Sequence, residues 1–140
     1  MKRLISLLLA GVLLLSLWGC SDGTPDGLTK ETYRCGNDAL ATMDAYLAGE
    51  ASAEDTLTKL EEIALALDQE AAALEKALAE QNVKSGKYDT IFAQSMSCAG
   101  ITLGVVAFMS EVEAAPDGTE GTSCQRARDK VADIVAPAEE

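Results

Sequence analysis

The spacing of apolar positions changes several times along this chain, and each change marks a boundary. Leu4 to Trp18 is an apolar run broken only by Ser6, Gly11 and Ser16. Ser21 to Gly27 (SDGTPDG) has no periodicity, is rich in Gly, Pro and Asp, and reads as a short flexible tether. From Thr29 onward every long segment has helical spacing. Thr29 is an expected N-cap with Glu31 in the first turn and Leu28 placed to staple onto Tyr33, and Tyr33, Gly36, Leu40, Met43 and Leu47 recur on one face up to a stop at Gly49. Ser52 caps the second helix. Leu57, Leu60, Ala64, Leu67, Ala71, Leu74 and Leu78 then follow as a heptad seam flanked by Glu61, Glu62, Glu70, Glu75 and Glu80.

Asn82 and Ser85-Gly86 mark the next turn, and a third helix runs to a stop at Pro116. From Thr90 to Ser110 it carries no charge over 21 residues, a length that also fits a membrane span. Gln94, Ser95, Ser97, Thr102 and two glycines weigh against insertion. The preferred expectation is a central core helix, buried on most of its circumference, with Gly100-x-x-x-Gly104 admitting the Ala-rich seam of the second helix. After a turn-rich loop, Thr122-x-x-Gln125 has the form of a capping box, and Cys124, Ala127, Val131 and Ile134 make a last amphipathic face. The short connections predict antiparallel neighbours: an all-α, antiparallel four-helix up-down bundle over 29–136, with helices at about 29–48, 53–82, 87–115 and 122–135 and a tail at 137–140.

Ahead of this domain, Lys2 and Arg3 precede the apolar run, the order of a secretory signal. Leu17-Trp18-Gly19-Cys20 resembles the lipobox of bacterial lipoproteins, with Leu at −3, a small residue at −1 and Cys at +1; Trp18 departs from the usual small or polar residue at −2. The resemblance covers only the export segment. It implies cleavage between Gly19 and Cys20, removing residues 1–19, and covalent lipid on Cys20, with residues 20–28 as anchor and tether. It also implies a location at the cell membrane, facing outside the cytoplasm. Ser21 at +2 does not favour inner-membrane retention where the host has an outer membrane. Two or three acyl chains give stable anchoring where one gives marginal binding.

Charge and composition then narrow the function. The chain has 11 Lys+Arg against 23 Asp+Glu, a net −12; removal of residues 1–19 takes away Lys2 and Arg3, and 9 − 23 gives −14. Such a surface argues against nucleic acid and could attract a cationic peptide, a basic protein or a cation. No histidine is present, which excludes Ser-His-Asp and Cys-His catalysis and imidazole metal ligation. The acids Glu61, Glu62, Asp68 and Glu70 fall beside the apolar seam, as solvated-face residues do, and the Asp-Gly pairs lack calcium-loop spacing. No catalytic residue, metal site or cofactor other than the lipid is expected.

With Cys20 assigned to lipid, Cys35, Cys98 and Cys124 are left for an oxidising compartment. Measured from the bundle end near Ala48 and Ala114, Cys35 lies about 20 Å down and Cys98 about 24 Å at the helical rise, while Cys124 lies near the end itself. Cys35–Cys98 is therefore the axially matched pair for a disulfide. Cys98–Cys124, or three buried free thiols, are the alternatives. Cys124, in the first turn of the last helix with Arg126 and Arg128 nearby, is the candidate free thiol with a lowered pKa, although it also lies on the apolar stripe. The expected function is non-catalytic: a structural or interaction lipoprotein of the cell envelope. The alternatives are an acidic binding module for a cationic partner and a redox-responsive module acting through Cys124.

Overall fold

The computed structural model describes residues 23–115 and 121–136; the leader with Gly19 and Cys20, the loop at 116–120 and the tail lie outside them. Four helices form: α1 (Lys30–Leu47), α2 (Ala53–Ala79), α3 (Gly86–Ala114) and α4 (Gly121–Val135). Their ends follow local chemistry. The Thr29 hydroxyl accepts the Thr32 N–H at 3.0 Å, and Ser52 and Ser85 cap α2 and α3 in the same way, each accepting an N–H three residues on. At the end of α1, Gly49 takes φ +74, the Gly49 N–H donates to Tyr46 O and the Glu50 N–H to Ala45 O, a paired C-terminal motif that a left-handed residue allows.

The helices pack as a four-membered bundle in which α1 meets α2 and α4, α3 meets α2 and α4, and α1 and α3 also touch across the short diagonal. Neighbours are antiparallel. Cys98 of α3 sits against Leu67 of α2, Gly100 against Ile134, and Gly104 against Val131, so positions rise along one helix as they fall along the next. The ends of α1 and α3 lie together: the Tyr46 hydroxyl donates to Ala115 O at 3.3 Å, and its ring meets Phe108 edge to face. The core is aliphatic, with Leu60, Leu67 and Leu74 of the expected α2 seam buried beside Met43, Ile101, Val105, Phe108, Val112 and Val131.

Four details differ from the sequence expectation. The buried face of α1 centres on Thr32, Cys35, Gly36, Ala39, Met43 and Tyr46, so Tyr33, Leu40 and Leu47 flank it. Small residues face inward there because α1 also closes on α3 across the diagonal. Gly100 and Gly104 admit α4 and not α2: a methyl at Gly104 would stand 2.5 Å from Val131 Cγ2, and one at Gly100 2.6 Å from Ile134 Cδ1. The capping box does not form, since α4 already includes Gly121 and the Gln125 amide donates forward to Asp129 at 2.8 Å. Finally, α3 is not buried on most of its circumference. It is long and apolar enough to cross a membrane by length and composition, yet only 33% of its most apolar 18-residue stretch is buried in the bundle. Phe92, Met96, Leu103 and Val106 are exposed.

Candidate functional site

Chemistry-bearing side chains collect in two places between the helices. One is a polar thread that links α1, α2 and α3. The Thr29 hydroxyl, besides capping α1, donates to Glu70 Oε1 of α2 at 2.6 Å and lies 2.9 Å from the Thr32 hydroxyl. Thr32 is fully buried and engages the Cys98 thiol of α3, whose Sγ also donates to Leu67 O at 3.5 Å. Glu70 therefore holds α1 and α2 together, where its sequence position suggested a solvated face. Its one signal was its place a helical turn from Leu67 and Leu74, on the flank that meets α1.

The second place is an open groove of about 500 Å³ between α1 and α2, lined among others by Arg34, Cys35, Asp38, Lys59, Glu62 and Ile63. The Arg34 guanidinium bridges Glu31 and Asp38, its neighbours one turn away on either side. The hydrogen bond from Arg34 holds the Glu31 carboxyl below the usual carboxylate range, partly against the effect of its burial. Arg34 is thus already neutralised by its own helix. Cys35 at the groove floor is 1% exposed and its thiol is pushed up to about 11, mainly by burial, so at neutral pH it is a protonated, weakly nucleophilic group.

The three thiols of the described residues are free and buried. Cys35 and Cys98, the pair expected to be bonded, are not joined in this structure. Cys98 points to Thr32 and Leu67, one turn below Cys35 on α1, while Cys35 borders the groove and engages Glu31 and Arg34. The arrangement is the alternative of three buried thiols packed as small hydrophobes. Cys124 also departs from expectation. Its thiol is raised, first by burial and then by the Glu111 charge of α3, the opposite of the lowering expected at a helix N-terminus. Arg128 does not serve it, because that guanidinium grips both carboxylate oxygens of Asp44 on α1, at 2.9 and 3.2 Å. Desolvation exceeds the dipole once the thiol faces the core.

Cys20 and Gly19 lie outside the described residues. Among the described residues no group of three or more His, Cys, Asp or Glu is placed to hold a metal. The exposed face of α2 carries Glu54, Asp55, Glu61, Glu62, Asp68 and Glu75, the largest share of the negative surface on one helix. Comparison with protein-family models, with curated proteins and with solved structures finds no match for this chain.

Proposed function

We propose that this is an exported, lipid-anchored helical lipoprotein of the bacterial cell envelope, with a non-catalytic structural or interaction role. The observation that carries the reading is the order of segments: an apolar run after Lys2-Arg3, Leu17-Trp18-Gly19-Cys20 at its end, and a Gly/Pro/Asp-rich tether into the bundle. The start of the domain supports it. Leu28, eight residues after Cys20 in the sequence, is already buried in the core, and Thr29 caps α1, so the domain would be held close to the lipid surface. A non-catalytic role is supported by the state of the reactive groups, since all three described thiols are buried with raised pKa values and the Arg34 guanidinium of the groove is paired with Glu31 and Asp38. The burial and raised pKa of the Cys124 thiol favour this reading over a redox-responsive module acting through Cys124.

Radiolabelled palmitate fed to a bacterial host expressing the full chain tests the anchor. The expected result is label on the native chain, none on the Cys20→Ala variant, and accumulation of an uncleaved precursor of that variant. An unlabelled native chain, or label that survives in Cys20→Ala, would overturn the reading.

A further inference from the structure

Of the six large apolar side chains that are exposed among the described residues, four stand on one helix: Phe92 at 48%, Met96 at 59%, Leu103 at 71% and Val106 at 48%. Their spacing is regular. Asp89, Phe92, Met96, Ala99, Leu103, Val106 and Ser110 follow at 3-4-3-4-3-4, and every one of them is exposed. This is a second heptad seam, on the side of α3 away from Ile91, Cys98, Ile101, Val105, Phe108 and Val112, which face the core. A solvated face gives no reason for such a pattern, and the bundle already satisfies the inner one.

We infer that a second copy of this chain covers this face, α3 against α3, in an antiparallel two-fold dimer. The order of residues is what selects this occupant. In an isologous contact residue i meets j and j meets i, so an antiparallel seam must be complementary to itself. Centred on Ala99 it is, to within one residue of register: Phe92 falls opposite Val106, Met96 opposite Leu103, and Ala99 opposite itself, where a small side chain lets the two helices cross closely. At each end the Asp89 carboxylate faces the Ser110 hydroxyl of the second copy, an acceptor against a donor. Charge allows the approach, since two strongly acidic chains can meet only through an uncharged surface, and 90–110 is the longest one outside the leader. The Phe92 ring is also preset, stacked on Tyr88 at 6.3 Å with 9° between the planes. A membrane surface fits less well, because a helix lying in an interface is usually flanked by basic residues. On the α2 side the flank here is Glu61 and Asp68, both exposed.

The dimer does not depend on the lipid anchor, so its test uses the full chain with Cys20→Ala, which also removes the one thiol outside the described residues. Ala99→Cys is added in one variant and Glu62→Cys, on the far side of α2, in another; each is oxidised in the cell extract with copper phenanthroline and run on a non-reducing gel. The native thiols, at most 5% exposed, stay out of the reaction. Two copies oxidised by the copper complex lose two thiol protons and two electrons and gain one sulfur–sulfur bond. The expected result is at least about tenfold more crosslinked dimer from Ala99→Cys than from Glu62→Cys, and a loss of about tenfold or more when Leu103→Glu places unpaired charge in the seam. Equal crosslinking at both positions would mean random collision and overturn the inference. So would an Ala99→Cys chain that stays monomeric, whether its thiol is open to a water-soluble maleimide (a bare face) or shielded until detergent is added (a lipid-covered one).

Discussion

Gly104 has no side chain, and Val131 and Ala127 of α4 occupy the space that one would need. A methyl there would meet Val131 Cγ2 at 2.5 Å and the Ala127 carbonyl oxygen at 3.3 Å. Val131 is fully buried and branched at Cβ, so it cannot swing aside. Gly104→Ala is therefore expected to destabilise the bundle by about 1–3 kcal/mol through overpacking, despite the better helix propensity of alanine. Gly86→Ala is the control, since nothing lies within 4 Å of that position. Urea unfolding of the two variants checks the contrast, and similar midpoints would contradict it. The GxxxG spacing was plain in the sequence, but its partner was not. Both α2 and α4 offered small or branched residues, and the choice between them belongs to packing angles that spacing does not encode.

At the scale of elements, capping placed the starts of α1 and α2, and periodicity and turn residues placed all four helices to within three residues of their observed bounds, because these signals are local. Thr29, Ser52 and Gly49 act as their residue types suggest. What periodicity missed was a second function for a cap. Thr29 holds α1 to α2 by donating to Glu70 while it accepts from Thr32, so Thr29→Ala removes both bonds and leaves Glu70 half-buried without this donor. A loss of about 1–2 kcal/mol is expected, against a few tenths for Thr29→Gly in an isolated cap. A Thr29→Ala, Glu70→Ala cycle in thermal unfolding should therefore show coupling between the two positions, and strictly additive losses would limit Thr29 to its capping role. For α3 the uncharged run from Thr90 to Ser110 led to an expectation of burial on most of its circumference. The bundle offers α3 only α1, α2 and α4, and a 29-residue helix with three neighbours keeps one face outward.

For the whole molecule, the buried thiols couple the fold to pH. Cys35, Cys98 and Cys124 all have folded values above the ordinary 9.0, with burial the first cause in each. A raised value means that the folded state binds the proton more tightly than the unfolded chain. The resulting stability is fully present below pH 9 and is lost as pH rises through the folded values, which for Cys35 is about 11. Between pH 8 and pH 10.5 the urea midpoint of the native chain should therefore fall further than that of Cys35→Ala. Comparing the two slopes cancels the effect of lysine titration common to both, and parallel slopes would show that Cys35 titrates alike in both states.

Helix number, the caps at Thr29 and Ser52 and the α2 seam all follow from properties of neighbouring residues: side-chain period, turn chemistry and runs of charge. A sequence carries these directly because the interactions act over a few residues. Which thiols meet, which helix enters the Gly100–Gly104 face, whether Glu70 is solvated and which face of α3 stays outside were decided by the tertiary structure. Each depends on the rotation and offset of one helix against another, set by how whole side chains interlock. Cys98 shows the difference: its depth along the bundle was legible to within a turn, but the direction of its sulfur, toward Thr32 and Leu67 and not Cys35, was settled by helix rotation alone.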